Sequence, residues 1–405
     1  MESLNSHPRR QNPLDRPVDL VPRMIRQGYD RTRIDSRRQW VEEKTACQLP
    51  HIGRYSIDSE QMRGNIENPI GAVQVPVGAA GPLLLKGEHA IGTFYVPMAT
   101  TEGALVRSYE RGMVAVTRAG GASARVQSDE NTISPVFSFT DIDAAHEFSL
   151  RVRDEEPNIR REAESTTRHG RLLRIECNAT GRQVIVSFCY STADASGMNM
   201  IVNATERACE WIERNCAARS HYIFSGLSSE KRASGRLFWG GKGKKVTAGA
   251  LLPATTVKAY LHTTPERLVH MWHHTVIGHI HANSLGYNGQ FANGLAAVFI
   301  ACGQDVANIV NSAVGVTSFE ATEEGDLYAS VTLPSLTVGT VGGGTSLGTA
   351  RECLEMLGCT GAGSAEAFAE IVAATLLAGE LSMGSAIASG EFVQAHEKYG
   401  RNRPE

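Results

Sequence analysis

Apolar side chains fall at steps of three and four through residues 105–116, where Leu105, Tyr109, Gly112 and Val116 mark one face of a helix. Thr100 and Thr101 stand just ahead of that face as N-cap residues. This placement puts Glu102 in the first turn, at the head of the apolar stripe and pointing inward. A charged stretch near 30–47 also reads as helix. Between them, residues 64–103 are rich in Gly and Pro yet apolar, which predicts short strands and tight turns packed inside the protein.

Residues 135–224 have a separate rhythm. "PVFSFT" reads as a strand and the segment from Asp141 as a helix, capped by Asp141 or Asp143 and broken at Pro157. "RLLRIECNAT" and "RQVIVSFCYST" read as strands, "SGMNMIVNATERACEWIERNC" as a helix and "SHYIFS" as a last strand. That order, βαββαβ, predicts an inserted ferredoxin-like module of about 90 residues. Beyond it, "LFWGGKGKKVTAGALLP" is strand-like and "TPERLVHMWHHTVIGHIHAN" helical. "NGLAAVFIACGQDVANIVNSAV" predicts one long, central apolar helix. "EGDLYASVTLPSLTVGTVGGGT" reads as strands ending in a glycine loop, followed by two apolar helices and a polar tail. The fold class is α+β. The predicted layout is a tail at 1–17, a helical region at 18–65, a large domain at 66–134 and 225–390, an insert at 135–224 and a C-terminal tail at 391–405.

Composition narrows the class. The 405 residues suffice for two or three domains, and 42% are hydrophobic against 20% charged. The net charge of −3 gives no reason to expect nucleic acid or an anionic membrane as partner. Eight cysteines without a CxxC pair read as reduced thiols. No signal peptide is evident at the N-terminus, and no apolar run reaches the roughly 18 residues of a membrane span. The expectation is a soluble, cytoplasmic protein without a metal.

Several segments carry candidate chemistry. "GTVGGGTSLG" (339–348) sets free backbone N–H groups before a helix, which suits a phosphate or a plain structural loop. Its spacing fits neither a Rossmann fingerprint nor a Walker A loop. "TADASGMNM" (192–200) leads from strand to helix with Asp194 or Ser196 as cap, a second possible anion site. Asp305 falls within an otherwise apolar helical pattern and so needs a partner. Lys231 lies in the polar loop "SGLSSEKRASG", and His396 in the tail. Five histidines on one helix (270, 273, 274, 279, 281) lack an evident acid or cysteine partner for a metal. Two acids, a lysine and a histidine beside two phosphate loops fit a nicotinamide reductase without a Rossmann fold.

The segments "ENPIGAVQVPVGAAGPL", "VPMATTEG", "DASGMNM", "GQDVANI", "DLYASVTLPSLTVGTVGGGT" and "AHEKYGRNR" resemble 3-hydroxy-3-methylglutaryl-coenzyme A (HMG-CoA) reductase, class I, in order from about residue 50 to 403. The resemblance implies four-electron reduction of HMG-CoA to mevalonate and free CoA with two NADPH. It implies a catalytic set of Glu102, Lys231, Asp305 and His396. It puts the cofactor at Thr167, Arg168, Asp194, Ser196, Gly197, Met198, Asn199, Met200, Val341, Gly342 and Gly343, on the inserted module and glycine loop. Substrate contacts would be Ser108, Arg111, Arg232 and Asn293. Family members are homodimers or tetramers with shared active sites.

The substrate periphery departs from the family pattern. Ile133 stands where the family has an arginine, Val114 where it has a basic residue, and Leu227, Glu230 and Gln290 are further changes. A buried charge-assisted contact is worth roughly 1.5–3 kcal/mol. These changes leave a second reading open: a catalytically impaired or substrate-shifted paralogue.

Overall fold

The computed structural model describes residues 20–23, 28–167 and 169–392, so Arg168 and His396 lie outside the described residues. The chain divides into two compact units, residues 1–74 and 75–405. In the first, helix α1 (Arg31–Thr45) begins at Asp30, whose side chain accepts the Arg33 N–H at 3.1 Å. Its inward residues are Ile34 and Arg37. Arg37 is buried because its guanidinium meets the carbonyls of Pro22, Gly28 and Pro69 at 3.2, 2.5 and 3.0 Å.

The second unit runs β1 (Val77–Gly87), β2 (Ile91–Ala99), α2 (Leu105–Arg118), β3 (Ala122–Ile133) and β4 (Val136–Ser138). It continues with α3 (Ile142–Asp154), α4 (Glu156–Glu164), β5 (Arg171–Thr180), β6 (Gln183–Ser191), α5 (Met198–Asn215) and β7 (His221–Tyr222). Then come β8 (Lys242–Leu252), α6 (Ala254–Leu261), α7 (Pro265–His281), α8 (Phe291–Ala301) and α9 (Ile309–Ser312). The described part closes with β9 (Val316–Ala321), β10 (Leu327–Leu336), α10 (Gly348–Met356) and α11 (Ala365–Ser389).

Among the described residues ten strands form one sheet, with the path β7-β4-β6-β3-β8-β10-β9, β1 on β3, β2 on β1 and β5 on β6. Pairing is antiparallel except between β1 and β3. Strand β3 is the shared member: its body pairs with β8, while its last three residues, Asn131–Ile133, pair with Tyr190–Phe188 of β6. Two hydrophobic cores result. One gathers β1, β2, β8, β10, α2, α8 and α11; the other is made wholly of residues between Ile133 and Ala218. Ile133 is itself fully buried in this second core.

Within 136–222 the predicted order is present with one helix more. The helix from Asp141 ends at Asp154 and restarts at Glu156 with Pro157 in its first turn, where proline needs no N–H partner. Asp141, not Asp143, is the cap, accepting Ala144 N–H at 2.8 Å. The last strand is only two residues long.

The long helix expected over 293–314 is not continuous. Helix α8 stops at Ala301, Gly303 turns at φ +64°, and a short 3-10 turn and α9 follow. A Cβ at Gly303 would lie 2.4 Å from the Gly344 carbonyl oxygen, so backbone meets backbone here. The central helix is instead α11, whose 25 residues are long and apolar enough to cross a membrane, contrary to the sequence reading. Here it is core, with 83% of its most apolar window buried. Its two buried acids are answered by main chain. Glu370 accepts the N–H groups of Glu88, His89 and Ala90 at 2.8–2.9 Å. Glu380 accepts those of Gly289 and Gln290 and the Thr317 hydroxyl.

Candidate active site

The break after α8 creates the first half of the site. Asp305 does not lie in a helix. It caps the 3-10 turn Val306–Asn308, accepting Ala307 N–H at 3.0 Å, and its carboxylate is about half exposed. Its other oxygen meets Lys231 Nζ at 2.7 Å. Lys231 comes from the loop before β8 and takes a left-handed conformation (φ +52°), as does Ser229 (φ +55°). Arg232 is exposed beside it.

Gln304, next to Asp305, holds the glycine loop. Its side-chain amide donates to Gly339 O and accepts Gly339 N–H, both at 2.9 Å. The same loop meets the strand-to-helix turn, because Thr340 and Val341 N–H donate to Asp194 O at 2.9 and 3.2 Å. A Cβ on Gly339 would approach Asp194 O and Ser196 N at 2.9 Å, so only glycine allows this contact. The two segments expected to hold a cofactor are therefore packed together, beside the Lys231–Asp305 pair.

Neither Asp194 nor Ser196 caps α5. The cap is Gly197 at φ +70°, without a side-chain hydrogen bond, which leaves the first-turn N–H groups of Met198, Asn199 and Met200 to another acceptor. The Asp194 carboxylate instead caps α11, accepting Ala365 N–H at 3.1 Å. Thr167 donates to Met200 Sδ at 2.9 Å, tying the chain just past α4 to the start of α5. Gly342 and Gly343 have positive φ, are exposed, and would have nothing within 4 Å of an added Cβ. An open backbone cradle beside an uncapped 18-residue helix fits the phosphates of a dinucleotide.

Beneath this turn lie residues that the sequence reading missed. Lys242 and Lys244 of β8 are fully or almost fully buried. In register they face Asn131 and Asp129 of β3. Lys244 Nζ bonds Asp129 at 2.6 Å and Ala193 O at 3.5 Å. Lys242 pairs with Glu230 and also reaches Met198 Sδ at 3.2 Å and Thr132 O at 3.5 Å. Burial pushes the Lys242 ammonium below its usual range, against the pull of Glu230. Asn131 Nδ2 donates to Thr192 Oγ1 and Ser196 O at 3.2 and 3.4 Å. The alternation G-K-G-K was the available signal, since it aims both lysines at one face of a strand.

The second half of the site is a pocket lined by Glu102, Ser108, Arg111, Gln290, Asn293, Ser382 and Phe392, among others. The stripe Leu105, Tyr109, Gly112, Val116 is buried as predicted. Glu102 is not. Helix α2 starts at Leu105 after a left-handed Ala104 (φ +70°), so Glu102 precedes the helix and is exposed. Thr100 does not cap the helix; its hydroxyl accepts the Glu102 N–H at 3.0 Å. Both Glu102 oxygens face Asn293 Nδ2 at 3.3 Å. Ser108 and Arg111 bond Ser382 Oγ at 3.1 and 3.0 Å, and Arg111 also meets Ser382 O and, at 3.6 Å, Glu391. Tyr109 packs beneath, its phenol pushed well above its usual pKa by burial and then by Glu380 and Glu102. Ser108, Arg111, Asn293 and Glu102 are thus brought together, as are Lys231 and Asp305. The two groups stand at opposite ends of α8, whose 11 residues span about 16 Å.

Of the altered positions, Ile133 faces the small core, whereas Gln290 lines the pocket. On the histidine-rich α7, the His270 and His274 rings lie 4.2 Å apart with planes tilted by 44°; among the described residues no cluster of three or more His, Cys, Asp or Glu could hold a metal ion. All eight cysteines are unbridged.

The family model for hydroxymethylglutaryl-coenzyme A reductase matches residues 33–401. The 3-hydroxy-3-methylglutaryl-coenzyme A reductase of Methanothermobacter thermautotrophicus is 45% identical over 368 residues, covering 90% of this chain and 92% of that protein. The Methanocaldococcus jannaschii protein of the same name is 44% identical, with 90% and 92% covered. Among solved structures, the NADPH-bound class II 3-hydroxy-3-methylglutaryl-CoA reductase of Streptococcus pneumoniae superposes with a TM-score of 0.65 at 17% identity. It covers 88% of this chain and 97% of that one, a likeness of fold.

Proposed function

Because the chain belongs to the hydroxymethylglutaryl-coenzyme A reductase family, we infer that it reduces HMG-CoA to mevalonate and free CoA with NADPH. The observation that carries this reading is the joining of Lys231–Asp305, through Gln304 and Gly339, to the loop and turn that suit a dinucleotide. Relatives at 41–45% identity over about nine-tenths of the chain favour a working reductase over an impaired paralogue.

NADPH, when bound, supplies hydride, twice per turnover. The chain's own residues do the rest. Lys231 stabilises the oxyanion that develops on the thioester carbonyl, and Asp305 fixes its ammonium. Glu102, aligned by Asn293, gives a proton to the developing alkoxide. His396 protonates the departing CoA thiolate, since imidazole titrates near neutrality. Gly342, Gly343 and the amides of residues 198–200 hold phosphates, with Val341, Asp194, Ser196 and Thr167 shaping the cradle and Arg168 reaching the 2′-phosphate. Ser108, Arg111 and Arg232 hold the substrate.

The separation of Glu102 from Lys231–Asp305 along α8 supports a homodimer or tetramer. In it Glu102 of one subunit meets the Lys231–Asp305 pair of another. The motif set supports class I. Residues 135–224, with strand order β7-β4-β6-β5 and their own core, are the ferredoxin-like cofactor insert of a large substrate domain that comprises 66–134 and 225–390. A cytoplasmic location accords with α11 being core. The test follows NADPH oxidation at 340 nm with HMG-CoA. Turnover dependent on both is expected; none, in folded and oligomeric protein, would sink the reading.

A further inference from the structure

Glu230 and Lys231 are neighbours whose side chains go to different partners. Lys231 meets Asp305 at the exposed end of the loop, while Glu230 goes to Lys242, a lysine with no exposed surface. The residues on either side of Glu230, Ser229 and Lys231, both hold left-handed backbone at φ +55° and +52°. Non-glycine residues keep that conformation only where surrounding contacts over-determine it. The turn contacts Ser229 N–H to Gly226 O and Arg232 N–H to Ser229 O, both 3.2 Å, fix the loop's curl, and Ser225 holds its start by donating N–H and Oγ to Ser134 O at 3.0 and 2.7 Å, which leaves the Glu230–Lys231 end to side-chain partners. The Glu230 carboxylate is the loop's charged anchor to the sheet. Lys242 in turn touches Met198, in the first turn of α5, and Thr132 of β3. One buried ammonium therefore joins the loop of Lys231, the cofactor turn and the strand shared by both cores.

We infer that Glu230 and Lys242 are a positioning pair that sets the aim of Lys231 and ties it to the cofactor turn. The inference rests on the reading of Lys231 as the oxyanion-stabilising cation. Neither residue needs to touch substrate for this. Without Glu230 the loop loses its anchor, Lys231 leaves Asp305, and the site keeps its parts but loses their alignment.

The test is the double variant Glu230→Gln with Lys242→Met, which removes the pair without stranding a buried charge, alongside Glu230→Asp, which keeps the charge. Three quantities are read: thermal midpoint, steady-state kinetics, and the rate at which an N-hydroxysuccinimide ester acylates Lys231, followed by mass spectrometry. The double variant should melt close to the parent, lose roughly 10- to 100-fold in kcat, and acylate Lys231 several-fold faster because the Asp305 pairing is released. Glu230→Asp should recover part of both effects. Parent-like kcat together with parent-like acylation in the folded double variant overturns the inference, as does a loss of kcat with Lys231 still protected. Should the parent itself show no turnover, the functional reading fails, and the acylation rates decide the positioning claim alone.

Discussion

Gln304 and Gly339 exchange two hydrogen bonds of 2.9 Å, side-chain amide to main-chain amide, across 35 residues of sequence. This exchange fixes the carboxylate of the adjacent Asp305 relative to the glycine loop. Gln304→Ala should cost about 1–3 kcal/mol, since both Gly339 groups lose their partner. It should also raise the KM for NADPH about tenfold, equivalent to roughly 1.4 kcal/mol. Urea unfolding and NADPH titration at saturating HMG-CoA check the two parts separately.

The Lys231–Asp305 pair predicts the opposite division. Both side chains are nearly half exposed, so their attraction is screened. Lys231→Ala should change stability by less than about 1 kcal/mol, while kcat falls about 100- to 1000-fold with loss of the oxyanion cation. A large drop in the melting midpoint with near-normal kcat would contradict the assigned role.

Gly112 faces the α11 backbone so closely that an added Cβ would sit 1.8 Å from Ala378 O. Main chain cannot step aside as a flexible side chain can. Gly112→Ala should therefore destabilise by about 1–3 kcal/mol or more and disturb Ser108 and Arg111, which dock on Ser382 of the same helix. Calorimetry, with the KM for HMG-CoA measured alongside, reads both consequences.

His221 gives the small core a pH dependence. Burial alone would lower its pKa, but Glu213 at 2.8 Å and Glu206 at 3.2 Å outweigh it, and the net shift is upward. A raised folded pKa means that the imidazolium stabilises the fold fully below the unfolded value of 6.5 and that this contribution is lost as pH rises through the folded pKa. Compared with His221→Asn, the parent's advantage in melting midpoint should be fully present below the unfolded value of 6.5 and shrink as pH rises beyond it. An advantage that grows with pH would reverse the sign and refute the assignment.

The sequence by itself determined what is local. The i, i+3, i+4 stripe of α2 is buried as its spacing requires, α3 starts at the Asp141/Asp143 pair of candidate caps, with the structure choosing Asp141, and the 171–180 and 183–191 strands meet at Gly181. It also carried the motifs that name the family. Tertiary structure decided where the functional groups stand. Glu102 looks core-facing by periodicity, yet a left-handed Ala104 delays the helix and leaves the carboxylate at a pocket. Asp305 looks helical, yet the approach of Gly303 to Gly344 ends α8 and turns the acid outward to Lys231. Asp194 looks like the cap of the helix that follows it, but caps one 171 residues away. Lys244 finds Asp129 across 115 residues. Periodicity encodes neighbours three or four positions apart. Contacts between distant segments depend on how the sheet and α11 bring them together, and no local pattern holds that information.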